Sequence, residues 1–336
     1  MIEEVLTTAR YNAKVDPFLD IWTWEVAVYL FLGGVTAGIM FFAALSQLLN
    51  KDRQLPFTAN QLPLWAPIVL SIGMTTLFLD LEHKLYVFRF YTTLQPSSPM
   101  SWGSWILLLV YPISILQIAA TFRKGYPGLT GLVGKIPLLN ALAVKVFDLS
   151  EKNVRLISIS AIPVAIALGI YTGILLSTFS ARPFWNTSIL GPLFLISGLS
   201  AAAAFIIIGA RDAMEKHLFA KIDMLIIVVE LLLVGLLLIG LSTGSKPQLD
   251  ALGLVMGGDF SWVFWGLFVS AGLIIPLILE LWQMRARSFI LLLAPLLVLF
   301  GGYMLRHITL ELGQASSWQQ YEIQFEPKLL DRLHDL

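Results

Sequence analysis

The chain has no cysteine in its 336 residues. It therefore offers no thiolate to an iron-sulfur cluster and can close no disulfide. Charged residues are scarce at 13%, they balance to a formal net charge of zero, and no basic stripe interleaved with aromatics occurs. That excludes nucleic acid as a partner. Also missing are a G-x-x-x-x-G-K-S/T loop, a G-x-S-x-G elbow, H-x-x-x-H spacing and clustered carboxylates. Nucleotide use, hydrolysis and a metal site are accordingly not expected. The opening MIEEVLTTAR is acidic and lacks the basic and apolar regions of a cleaved leader, so insertion is expected to be led by the first apolar segment itself.

Apolar residues are what the chain has in abundance, 57% of the total with a mean hydropathy of +0.79. These are values of an all-α integral membrane protein, not of a soluble domain. At ~20 residues per span there is room for about eight spans, short loops and no second soluble domain. The apolar runs place the spans at 22–49, 62–82, 102–122, 154–178, 188–210, 222–242, 260–282 and 288–309. A polar segment at 1–21, with Asp16-Pro17 as a helix-entry signal, precedes them, and a polar tail at 311–336 follows. The basic connection 123–153 is the longest and is expected to carry an interfacial helix near 136–150.

Three stretches stand out against this background. YTTLQPSSPMSWGSW, residues 91–105, is a proline-punctuated polar elbow between two spans. It must lie at the membrane surface or line a protein-enclosed cavity, because facing lipid it would leave backbone groups unpaired. Span two ends in LDLEHKLYVFRF, which crowds Asp80, Glu82, His83, Lys84 and Arg89 together. Two readings of that patch stand side by side: a functional site for charges held near the membrane, or interfacial snorkelling with an Asp80–Lys84 pair. In span one, Gly34 and Gly38 form a G-x-x-x-G ridge for close helix approach, and Glu25 and Tyr29, four residues apart, share a face.

Lysine and arginine number thirteen on the side of the loops joining spans one to two, three to four, five to six and seven to eight, and nine on the other. The positive-inside rule then puts both termini outside the cytoplasm. Span parity brings Glu25, Tyr29, the charged end of span two, the elbow, Tyr171 and Arg182 to that same face. One polar pocket walled by spans one to four is expected there. Two tyrosine hydroxyls, a carboxylate and a histidine among aromatic side chains meet the needs of a quinone head group: donors for two carbonyls, apolar walls and a proton carrier. A core tyrosine with one satisfied hydroxyl is the plainer reading of either tyrosine alone. Haem competes, but a bis-histidine site needs paired histidines on facing spans. His83, His217, His307 and His334 provide none within the bilayer, although His83 and His307 could meet at the outer face. A third reading is an ion or proton transporter with Asp80, Glu82, Glu230 and Glu280 as a relay; Glu230 is the acid nearest a bilayer midplane.

YLFLGGVTAG in span one, LQPSSPMSWGSW at the elbow, YTGILL followed by RPFWN after span four, and GPLFLISGLSAAAA in span five together resemble the NrfD/PsrC family, the membrane quinone-reactive subunits of polysulfide-reductase-like complexes. The resemblance covers residues 22 to about 204, with a looser echo in LRHITLELGQ. It implies eight helices in two four-helix bundles, at 22–178 and 179–310, with a quinone site on the first. The quinone, menaquinone or ubiquinone, is a substrate, and no haem or metal is bound in the chain. It also implies a four-cluster, ferredoxin-like iron-sulfur partner and beyond it a molybdopterin or other catalytic subunit of a respiratory oxidoreductase, with proton translocation as a further coupling. By position Tyr171 matches the family tyrosine that hydrogen-bonds the quinone. Tyr29 falls where the polysulfide reductase subunit has a histidine, and Val26 where it has an asparagine. Tyr171, Tyr29 and the adjacent Glu25 are thus the expected quinone contacts, and Asp80, Glu82 and His83 the expected proton carriers.

Overall fold

In the computed structural model the described residues are 21–133, 137–286 and 292–317. The expected N-terminal segment and the tail beyond 317 lie outside them. Among the described residues eight helices are long and apolar enough to cross a membrane: Trp24–Leu48, Phe57–Asp80, Pro99–Gly125, Val154–Ser177, Leu190–Gly209, Ala213–Ser242, Trp262–Gln283 and Leu293–Ala315. They are spans one to eight below, and the protein is a multi-pass, all-α membrane protein.

Burial sorts the spans. Span one is 78% buried over its most apolar window, whereas span six, the most apolar with hydropathy 3.0, is only 28% buried. A helix apolar all round is one surrounded by protein or by lipid; span one is the first case and span six the second. Span one packs against spans two, four, five and eight, span five against one, four, six and eight, and span seven against eight. The glycine ridge explains the closest of these approaches. A Cβ on Gly38 would lie 2.6 Å from the Gly198 carbonyl oxygen and 3.2 Å from Leu199 Cα, and one on Gly198 would lie 2.9 Å from the Gly34 carbonyl carbon. Spans one and five therefore touch backbone to backbone. Gly38→Leu is expected to cost more than the roughly 1–3 kcal/mol of ordinary overpacking, because backbone cannot move aside as a side chain can. Size-exclusion chromatography of the purified variant checks this: wild-type elution and yield would refute the packing role of the ridge.

Three boundaries differ from expectation, each for a physical reason. Span two starts earlier, at Phe57, through a π turn Phe57–Gln61 and a 3₁₀ turn Leu62–Leu64. Pro63 supplies no N–H, so the regular ladder begins only at Trp65. The orphan donors of that entry are met by the fully buried Glu215 carboxylate, which accepts from Thr58 N at 2.8 Å, Thr58 Oγ1 at 2.6 Å and Phe57 N at 3.2 Å. Glu215 belongs to a start of span six at Ala213, nine residues ahead of the apolar run at 222. Span eight is displaced by several residues, running through Ala315. Arg306, Thr309 and Gln314 are buried inside the protein there, where a helix need not be apolar. A helix, Pro137–Lys152, occupies the stretch where one is expected near 136–150.

A clasp fixes the face on which span one starts. Gln314 Oε1 accepts from Ile21 N and Trp22 N at 3.1 and 2.9 Å, and Gln314 Nε2 donates to Trp22 O at 2.9 Å. Trp185 stacks on Trp22 with ring centroids 5.4 Å apart and donates its indole N–H to Thr309 O at 2.6 Å. Arg182, which span parity brings to that face, is buried there and donates to the carbonyls of Gln314 and Ser316. The RPFWN motif thus ties the loop after span four to the ends of spans one and eight.

Candidate functional site

The elbow is built so that its backbone does not go unpaired. Pro99 starts span three within its first turn, where a missing N–H costs nothing. Side chains of that turn reach back over the loop: Ser101 Oγ accepts from Gln95 N at 3.0 Å and donates to Thr93 O at 3.3 Å, and Trp102 Nε1 donates to Pro96 O at 2.6 Å. Held in this way, the elbow caps a cavity of about 540 Å³.

Spans one to four all contribute walls. Trp22, Val26, Tyr29 and Leu30 come from span one and its approach, Ser71, Met74, Thr75 and Asp80 from span two, Gly103, Leu107 and Tyr111 from span three, and Tyr171, Thr172 and Leu176 from span four. Val87, Phe90 and Tyr91 close it from the elbow side, and Leu310 of span eight also touches it. The lining is mostly apolar, with a few converging hydroxyls and one carboxylate, the usual make-up of a small-molecule site. Its volume lies within the range of about 300–1,000 Å³ for such sites.

At its inner wall the Tyr29 and Tyr171 hydroxyls are hydrogen-bonded to each other, both side chains being buried. Two phenols 142 positions apart are brought together because span one starts, and span four ends, on one face. Gly103 makes room for the ring: a Cβ there would lie 3.0 Å from Tyr171 Cδ2 and 3.1 Å from Tyr171 Cζ. Tyr91, outside the spans, has its phenol pKa pushed up by burial, so it too is a donor at neutral pH.

The other expected residues are distributed unevenly. Asp80 lines the same cavity, within electrostatic reach of Glu25 and Lys84. The Asp80–Lys84 ion pair is not formed; among the described residues the ion pairs are Arg123–Asp148, Arg123–Glu151 and Lys124–Asp52. Glu82 and His83 are exposed and line an adjacent hollow of about 510 Å³ beside Leu81, Phe90 and Met100, which both cavities share. Glu25 is not part of the lining and accepts a hydrogen bond from Thr23. Its position one residue from Val26 turns it about 100° away around the helix. His83 packs edge-on to Tyr86 and His307 stacks on Tyr303. Among the described residues no group of three or more histidine or acidic side chains is placed to hold a metal.

A second polar region lies in the second half of the chain; sequence reading named its Glu230 and Glu280 but missed Arg306 and Asp223. Arg306 is fully buried; its Nη1 donates to Ser197 Oγ at 2.6 Å and Gly302 O at 2.9 Å, and its Nη2 donates to Phe194 O at 2.8 Å. The Glu230 carboxyl lies against Ser197 and within reach of Arg306. Farther toward the opposite face Asp223 accepts from Ser200 Oγ at 2.6 Å and interacts with Glu280. Asp223 Oδ2, Glu230 Oε1 and both Glu280 oxygens are buried without a hydrogen-bond partner. Asp223 and Glu230, seven residues apart on one helix face, and an arginine within an apolar run were the signals available.

A family model described as "Polysulphide reductase, NrfD" matches residues 12–316. The chain belongs to the NrfD family. Consistent with that, it is 30% identical over 310 residues to Protein NrfD of Escherichia coli, covering 88% of this protein and 96% of the other. It is 28% identical over 309 residues to a polysulfide reductase chain of Wolinella succinogenes, covering 88% and 95%. A selenate reductase subunit of Mesobacillus selenatarsenatis is 24% identical over 306 residues, covering 83% and 71%. Membership of the NrfD family gives this eight-span protein the role of a membrane-embedded subunit of an oxidoreductase complex, and its motifs in spans one, three, four and five are the walls of the cavity and the helix contacts behind it.

Proposed function

We propose that this NrfD-family protein is the quinone-reactive membrane subunit of a respiratory oxidoreductase. The observation that carries this reading is the Tyr29–Tyr171 hydroxyl pair at the wall of an apolar cavity of about 540 Å³. A quinone needs donors for its carbonyls and a flat apolar slot for its ring. In this reading Tyr171 and Tyr29 hold the head group of menaquinone or ubiquinone, and Asp80 passes the proton between cavity and water, with Glu82 and His83 in the adjacent hollow continuing the path. Glu25 acts on Asp80 and not on the head group.

The protein then divides into a quinone-binding four-helix bundle at 22–178 and a second bundle at 179–310, inserted in a prokaryotic inner membrane with both termini outside. Electrons pass to or from an iron-sulfur subunit docked over the cavity, and a molybdopterin or other catalytic subunit beyond it handles the soluble substrate. Two relatives named as parts of a polysulfide reductase and a selenate reductase support a multi-subunit reductase.

The test is a titration of the detergent-purified protein with a fluorescent quinol analogue. Saturable quenching at one site per molecule is expected, and its absence would overturn the reading. Gly103→Ala, which adds only a methyl group against the Tyr171 ring, should weaken that binding several-fold while leaving elution on size exclusion unchanged. Unaltered affinity would separate Tyr171 from the site.

A second reading, proton or ion transport, is favoured by the buried Asp223, Glu230 and Glu280 with their unpartnered oxygens. The two readings combine if quinone chemistry drives protons along this array. Proteoliposomes of the whole complex, with a pH-sensitive dye inside, decide between them. Acidification or alkalinisation that tracks quinol turnover and is lost in Glu230→Gln supports coupling. A proton leak independent of quinol supports transport alone.

A further inference from the structure

The cavity wall is closed on most sides, but not along span two. Its residues from spans one and four are buried or half-buried, whereas Ser71, Thr75 and Phe78 of span two are exposed. Ser71 lies nine residues before the end of span two at Asp80, which at 1.5 Å per residue places it about 13 Å along the helix from that face. This opening is therefore within the membrane and faces lipid, unlike the gap beside Phe90 and Met100 at the surface.

The opening also carries two hydroxyls where lipid would favour none. Thr75 Oγ1 bonds back to Ser71 O at 2.7 Å, and Ser71 Oγ is hydrogen-bonded to Tyr111 OH at 3.2 Å across the gap between spans two and three. Spans two and three pack together through Phe57–Leu64, but from Trp65 onward they touch little, span two leaning on span one and span three on span four. A shallow groove on the lipid face of span two, formed by Pro67, Ile68, Ser71, Ile72 and Thr75, shares Ser71 and Thr75 with the cavity. Ile68 and Ile72 are 41% and 53% exposed. The apolar groove and the cavity thus meet at the Ser71–Tyr111 pair.

Resting on the quinone reading, we propose that the gap between spans two and three at Ser71 and Tyr111 is the lateral portal of the site, and that the groove over Ile68 and Ile72 holds the isoprenoid tail of the bound quinone. A flat head group enters from lipid by parting the Ser71–Tyr111 hydroxyl–hydroxyl bond. The apolar tail remains along the groove, a surface matched to it. Ser71 and Tyr111 then select for tailed substrates and admit them; they do not touch the reacting carbonyls.

The test uses the full-length protein in lipid nanodiscs and two probe pairs: menadione against long-tailed menaquinone, and a tailless dimethoxybenzoquinone against long-tailed ubiquinone. Binding is followed by quenching of tryptophan fluorescence in wild type, in the double variant Ile68→Phe with Ile72→Phe, which fills the groove outside the cavity lining, and in Tyr111→Phe. The groove-filling variant is expected to lower affinity for the long-tailed member at least tenfold and leave the tailless member within twofold, which also reports an intact fold. Tyr111→Phe is expected to speed association of the long-tailed member. If the groove-filling variant binds both members as wild type does, or loses both equally, the portal is elsewhere although the quinone reading stands. If wild type binds neither pair, the quinone reading fails and the portal with it.

Discussion

A Tyr171→Phe variant is expected to bind a quinol analogue about tenfold more weakly and to turn quinol over about 10²-fold more slowly, with assembly unchanged. The first figure corresponds to the loss of one net hydrogen bond of roughly 1.4 kcal/mol in a desolvated site. The second reflects the misplacement of a head group that Tyr171 no longer holds, which costs on the order of 10²-fold in rate. Both rest on the same geometry. In the structure the Tyr29 and Tyr171 hydroxyls satisfy one another, so neither is left as a bare buried polar group at the cavity wall. A carbonyl oxygen entering there can accept from the outer phenol while the inner one continues to support it. Removing one hydroxyl also strands the other, so Tyr29→Phe should show a similar though smaller loss. Because the two act as a unit, the double variant should fall well short of the product of the single effects. Quenching titrations and quinol oxidation by the assembled complex measure these quantities. Normal kinetics in Tyr171→Phe would remove the central assignment of the site.

Much of this site was legible in the sequence, for reasons that can be named. Parity of the spans decides which helix ends share a face, so Tyr29 near the start of span one, Tyr171 near the end of span four and Asp80 at the end of span two had to converge once the spans were counted. The elbow was legible as a cavity cap because a polar, proline-containing stretch between apolar helices has few other places to go. What parity cannot give is rotation about each helix axis. It brought Glu25 to the right depth, yet Trp22, Val26, Tyr29 and Leu30 line the cavity and Glu25 does not. The single hydroxyls of Ser71, Tyr91 and Tyr111 carry no periodic signal of their own, and the contact of Gly103 with Tyr171 depends on how spans three and four lean together. Parity likewise brought Arg182 to the right face but could not show that it lies outside the cavity lining, held by carbonyls at the end of span eight.

Arg306 shows the cost of a misplaced boundary, and it carries the other large expected effect. With span eight ending at 309, Arg306 reads as a charge near the interface; with the span running to Ala315, it is a guanidinium deep inside the protein. It is held there by Ser197 Oγ, the carbonyls of Gly302 and Phe194, and the Phe194 ring, whose centroid lies 5.1 Å from its Cζ. A Cβ on Gly34 would lie 2.9 Å from Nη2, so the glycine ridge of span one also makes room for this side chain. Arg306→Leu leaves Glu230 without its positive neighbour and several acceptors without a donor. Breaking a buried charged arrangement by removing one partner costs roughly 3–5 kcal/mol, enough to deplete folded protein. Arg306→Lys keeps the charge but not the fork that reaches three acceptors, and should fall between wild type and the leucine variant. The double variant Arg306→Leu with Glu230→Leu should recover part of the loss, because no charge is then left unpaired. Thermal unfolding of the four proteins in one detergent decides the matter. A single Arg306→Leu variant as stable as wild type would mean that the array is hydrated in the membrane and that its carboxylates are already served by water.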